Sequence, residues 1–342
     1  MDVNAEATAG DGSTGDDATA GVSGATRWTV PAIDRRYFEV RPALFYRDLI
    51  VPGAAFAIAY ASLLQAQGWA FAAAFLIAVV SLHRAAILMH DICHQYDNPR
   101  LKRFIWVWDL TIGAIAAIPS PRFLRPHRIH HATGTFRTKD DPQYLLVRTD
   151  RTLAVFVLIL IPFIMPILNL ANAVVASVAG TALDEAVERW AAKRGMPTGS
   201  VVADRHRPRV IWLSRYCVAL YALYAYLLPE TLGIAYAVLV AGWWLTTIRI
   251  PLEHRMEHLL ERSDKRDHIL DSFTIESPLA AILQPLAMRF HAAHHLYPGV
   301  PYHNLPALHR DLKASDAEYR ATIVPFWSVV RGNIPERPRA TA

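Results

Sequence analysis

The sequence predicts an all-α integral membrane protein: four crossing helices arranged as two hairpins, re-entrant or interfacial helices between them, and a cytosolic histidine-rich cap. Three observations point there. Of 342 residues, 53% are hydrophobic and only 19% charged, with a mean hydropathy of +0.19, whereas soluble domains carry about 25% charge. The longest apolar stretches come in pairs joined by short polar turns. Histidines crowd where those pairs end, in "HDICH" (90–94), "HRIHH" (127–131) and "HAAHH" (291–295).

In chain order, residues 1–26 are mostly Gly, Ala, Ser, Thr and Asp and predict a disordered tail. They lack the basic start and apolar run of a secretory signal. Residues 27–333 are expected to form one membrane domain. "LIVPGAAFAIAYASLL" (49–64) and "WAFAAAFLIAVVSLHRAAILMH" (69–90), joined by "QAQG", predict the first hairpin. Trp69 to His90 is about 32 Å of helix, against a bilayer core of about 30 Å. His90 therefore emerges as the helix leaves the lipid, with His94 one turn further out.

"FIWVWDLTIGAIAAIP" (104–119) carries Asp109 and is short for a crossing. It links the first two histidine clusters, so a re-entrant or interfacial path is expected. "LAVFVLILIPFIMPILNLANAVVASVAG" (153–180) is long enough to cross, but Pro162 and Pro166 would kink it. A single crossing would also carry Arg189, Lys193, Arg194, Arg205, Arg207 and Arg209 away from the cytosol, the side that basic loops favour. An in-and-out element is therefore expected here. The second hairpin is "VIWLSRYCVALYALYAYLL" (210–228), a "PET" turn and "LGIAYAVLVAGWWLTTIRI" (232–250). Thr231 to His254 is about 35 Å, which brings His254 to a similar depth. Residues 334–342 predict a second loose end. Both termini and the histidines are placed on the cytosolic side, with the cytoplasmic (inner) membrane as the expected location.

Residues three and four apart on a helix share one face, so each histidine cluster can aim its rings at a common point. Neutral imidazole is the commonest metal ligand. Nine candidates result: His90, His94, His127, His130, His131, His254, His291, His294 and His295. A zinc ion takes about four ligands, so nine suits two metals, each with four or five nitrogens. The chain lacks the paired Glu-x-x-His pattern of the soluble di-iron bundles, and affinity alone leaves zinc open. With only Cys93 and Cys217 there is no disulfide framework and no CxxC module. Cys93 is expected to pack as a small apolar residue. The net charge of +5 is scattered between apolar stretches, which argues against nucleic acid.

HDICH, HRIHH and HAAHH, in that order and bracketing membrane hairpins, resemble the three histidine boxes of the integral-membrane fatty acid desaturase and hydroxylase superfamily. The resemblance extends through "GTFRTKDDPQY", "RIPLEH" and "HHLYPGVPYHNLPALH" and covers about residues 45–313. Together the boxes are specific, although one alone is weak. "RIPLEH" is also similar to an element of membrane alkane hydroxylases in which a histidine completes a nine-ligand set, which favours His254 over His258. The resemblance implies two iron ions, O₂ as co-substrate, a fatty acyl substrate in the bilayer, and a separate electron donor such as a ferredoxin or a reductase. Desaturation is the expected outcome. Hydroxylation and decarboxylation to a terminal alkene are alternatives at the same site; a membrane zinc hydrolase or a metal-binding transporter lies outside the class. No catalytic residue beyond the metal ligands is expected.

Asp91, Glu253, Asp140 and Asp141 are candidates to accept the free ring N–H of a ligating histidine. His258, His303 and His309 are spare histidines expected not to ligate. His83 is expected inside the helix layer, with a packing or proton role. The aromatic runs "FIWVW" (104–108) and "GWWLTT" (242–247) are candidates for an acyl tunnel, though Trp also anchors helices at the membrane interface.

Overall fold

The structure, a computed structural model, describes residues 30–144, 151–197, 199, 201–257 and 259–337. The expected N-terminal tail, His258 and the last five residues lie outside that range. Among the described residues the chain is all-helical, with isolated bridges and no strands.

The first hairpin is α1 (Pro42–Leu63) and α2 (Gly68–Gln95). Pro42 opens α1, where its missing N–H costs no hydrogen bond. Gly68, at φ +56°, supplies the left-handed backbone that the turn into α2 needs. α2 is the central helix: it packs against α1, the short α4 (Pro121–His130) and α8 (Leu232–Arg249). Ala78, Leu82, Ala85, Leu88 and Ile92 are buried along it.

The segment 104–119 does not form a spanning helix. α3 (Lys102–Trp108) passes into a π-turn at Asp109–Gly113, and the chain reverses at Ala117, φ +56°. The awkward acid explains how the reversal holds. Asp109 is buried and accepts from the Ser120 backbone N–H (2.7 Å), Ser120 Oγ (3.0 Å) and Arg209 Nη2 (2.6 Å). Arg209 in turn lies 4.0 Å over the Trp106 ring. The result is a re-entrant element fastened to the helix that carries Arg209.

α5 (Arg151–Ala179) runs through Pro162 and Pro166. The Phe163 carbonyl accepts from Tyr236 Oη at 2.7 Å, which ties α5 to a neighbouring helix. Among the described residues five helices are long and apolar enough to cross a membrane: Pro42–Leu63, Gly68–Gln95, Leu158–Ala179, Asp204–Leu227 and Pro229–Leu252. Four of them are the two expected hairpins. The flanks of the fifth are both held by α4. Before it, the Tyr144 ring lies 6.2 Å from that of His130; after it, Asp184 in α6 (Ala182–Ala192) takes two bonds from Arg122.

The second hairpin is α7 (Arg207–Leu227) and α8 (Leu232–Arg249). Beyond it the chain builds the cap from α9 (Lys265–Leu270), α10 (Ala280–Leu283), α11 (His291–Leu296) and α12 (Leu305–Ser315). Tyr302 ties cap to membrane helices: its backbone N–H donates to Asp91 (2.9 Å) and its hydroxyl to the buried Asp48 of α1 (2.7 Å). The end of the chain is less loose than its composition predicts. Ile334 packs on the Leu252, Phe273 and Val324 cluster, and Arg337 bonds Asp271 (2.9 Å) and Asp267.

Candidate metal centre

Each ligand is placed by a short rigid piece of chain. His90 and His94 occupy one face of the last turns of α2, while Cys93 between them turns into the apolar core. α4 presents His127 and His130, with His131 at its C-cap; α11 presents His291, His294 and His295. A single 3₁₀ turn at Ile250–Leu252 carries the chain from α8 to His254.

The nine rings divide into two sets, His90, His94, His127, His131 and His294 in one and His130, His254, His291 and His295 in the other. The two HxxHH boxes interlock. The i, i+4 pair of the second box (His127, His131) serves the first set and its middle histidine the second; the third box does the reverse. In the four-histidine set His254 Nε2 lies 3.2 Å from His130 Nε2, 2.9 Å from His295 Nε2 and 3.0 Å from His291 Nε2, and His291 and His295 are 3.1 Å apart. In the five-histidine set His94 and His127 are 2.8 Å apart and His131 and His294 3.2 Å apart. His131 and His295 stack at 4.2 Å and join the sets.

Neutral imidazoles have one N–H each, so four mutually close Nε2 atoms cannot satisfy one another by hydrogen bonds. Each buried acceptor left unpaired costs about 1–3 kcal/mol. Nitrogens about 3 Å apart are what imidazoles sharing one metal at about 2.0–2.1 Å present. Burial, reinforced by neighbouring rings, holds His127, His131, His254, His291, His294 and His295 well below the usual histidine pKa. They are neutral at physiological pH, the form that binds metal. The residues fit two metal ions.

Comparison with known proteins agrees with that chemistry. The fatty acid desaturase family profile matches residues 67–327. This chain belongs to the fatty acid desaturase family. A ceramide hydroxylase of Caulobacter vibrioides (strain NA1000 / CB15N) is 24% identical over 317 residues, covering 87% of this chain and 89% of its own.

Around the nine rings of this desaturase-family chain, the four acids separate. Asp141 is fully buried and accepts from His130 Nδ1 (2.9 Å) and from the Arg137 backbone N–H (2.9 Å). Glu253 pairs with Arg249 (2.6 Å), and its other oxygen lies 4.0 Å from His291 Nε2. Burial, opposed by Arg249, pushes its carboxyl up to about 7. Asp91 serves the backbone at Tyr302, with no bond to a ring, and Asp140 is exposed. His303 accepts from the Arg41 N–H, His309 sits between Glu276 and Tyr319, and His83 bonds the Leu283 carbonyl. A cavity of about 250 Å³ between the hairpins is lined by Phe56, Tyr60, Leu82, Ile115, Tyr224 and Leu239 among others, and by no tryptophan. The tryptophans do other work: Trp108 Nε1 donates to the Ala85 carbonyl and Trp244 meets Phe163.

Sequence reasoning missed His268. It is fully buried in α9, 3.4 Å from His295 Nδ1 and stacked at 4.3 Å on Phe136. It stands alone in "KRDHIL", so no spacing distinguishes it.

Proposed function

We propose that this chain oxidises an unactivated C–H bond of a lipid acyl chain with O₂, at two iron ions held by the nine histidines. The observation that carries the reading is the five-and-four division of buried, neutral imidazoles with Nε2 atoms about 3 Å apart. When bound, the iron pair supplies O₂ activation and C–H cleavage, which no side chain provides. The protein holds and orients the ligands. Asp141 keeps the proton of His130 on Nδ1, leaving Nε2 for the metal. Phe136 and Tyr144, both fully buried, pack on His130 and His254 and keep water from the four-histidine set. His94 and His131 are only half-buried, so the five-histidine set faces the cap surface. A cytosolic ferredoxin or reductase delivers two electrons there.

Desaturation removes two hydrogens and releases two waters; it is the reading that family membership favours. A second reading has its own support, since the full-length relative is a ceramide hydroxylase: insertion of one oxygen into the acyl chain of a ceramide-like lipid. Mass spectrometry of host lipids with and without the expressed chain separates them, by loss of two hydrogens or gain of one oxygen. Purified protein that binds zinc but no iron would refute both and favour a hydrolase.

A further inference from the structure

We infer that His268 is a positioning residue for the four-histidine metal set, accepting the Nδ1 proton of His295 through its own Nδ1. The assignment rests on the two-metal reading above. His295 offers Nε2 to its set, so as a neutral ring it carries its proton on Nδ1. The partner that Nδ1 meets is His268 Nδ1, 3.4 Å away. His268 must then be the Nε2–H tautomer, and the Ala132 backbone lies within hydrogen-bonding reach of its ring to take that proton.

His131, His268 and His295 also lie close enough to be read as a third metal trio. That trio has no free ligands, because His131 and His295 already belong to the other sets. His268 therefore acts on His295 and not on a third ion. The whole of α9 is built around this grip. A capping box at Asp264 and Asp267 starts it, Lys265 Nζ donates to the His295 carbonyl at 2.5 Å, and Phe136 stacks on His268 from the other side. His295 is thus held at both its backbone and its ring by one six-residue helix. His130 takes its orientation from a carboxylate, Asp141, whereas His295 takes it from an uncharged ring; the set gains a second anchor without a further negative charge.

The test uses the full-length, iron-loaded protein in detergent, counting bound iron per chain after graded challenge with a chelator. His268→Ala should weaken retention of one iron by about 10–100-fold, the range for loss of such a partner, and leave the other as in wild type. His268→Asn, whose Oδ1 can accept where Nδ1 did, should restore retention; His268→Gln, which reaches further, should not. Wild-type retention in His268→Ala overturns the assignment. Equal loss in His268→Ala and His268→Asn, with both monodisperse and helical, also overturns it, pointing to packing or direct ligation. A wild type that holds no pair of metals overturns the two-metal reading itself.

Discussion

A ligating imidazole works only if its free nitrogen is fixed elsewhere, so the bond from His130 to Asp141 matters as much as the ligand. Asp141→Ala removes that acceptor and also the anchor of the Arg137 backbone. Iron affinity of the four-histidine set should fall about 10–100-fold, measured by chelator competition, with Asp140→Ala as an unaffected control. The division of rings makes a sharper forecast. His254→Ala should cost the iron of the four-histidine set while the other is retained, and His94→Ala should do the converse; loss of both or neither in each variant contradicts the division. The nine histidines that the fold gathers were legible because metal chemistry repeats histidines at helical spacing. The separation of Asp141 from Asp91 was not, since adjacency to a ligand in sequence says nothing of which ring nitrogen faces which carboxylate. His268 was illegible for a related reason: its partner is 27 residues away, in a separate helix beyond α10.

At the scale of the element, hydrophobic length and turn chemistry revealed both hairpins, because lipid demands long uninterrupted apolar helices. The reversal at 104–119 was legible only as an oddity, and its cause is tertiary: Asp109 finds Ser120 and Arg209, the latter 100 residues on. Breaking a buried ion pair by removing one partner costs about 3–5 kcal/mol. Asp109→Ala, which strands the partly buried Arg209, should therefore lower thermal stability in detergent markedly. Asp109→Asn, which can still accept from Ser120, should lower it less. Equal melting of Asp109→Ala and wild type would show that the reversal does not depend on this acid.

Across the whole molecule, the argument turns on which face of the membrane the cap occupies. α6 and the basic segment from Arg189 to Arg209 are tied to the histidine-bearing elements, through Arg125–Glu188 and Arg122–Asp184 on α4 and through Arg205–Asp97 just beyond α2. Positive charge favours the cytosol, where the proposal places a soluble electron donor. The cap, the segment and the donor must then share one side. Cysteines introduced at exposed Arg194 and Arg205 report on this with little background, because the native Cys93 and Cys217 are both buried. An impermeant thiol reagent should label neither site in intact cells and both after the membrane is opened. Labelling in intact cells would put the metal centre on the outer face, away from cytosolic ferredoxin or reductase, and the proposed electron supply would fail with it.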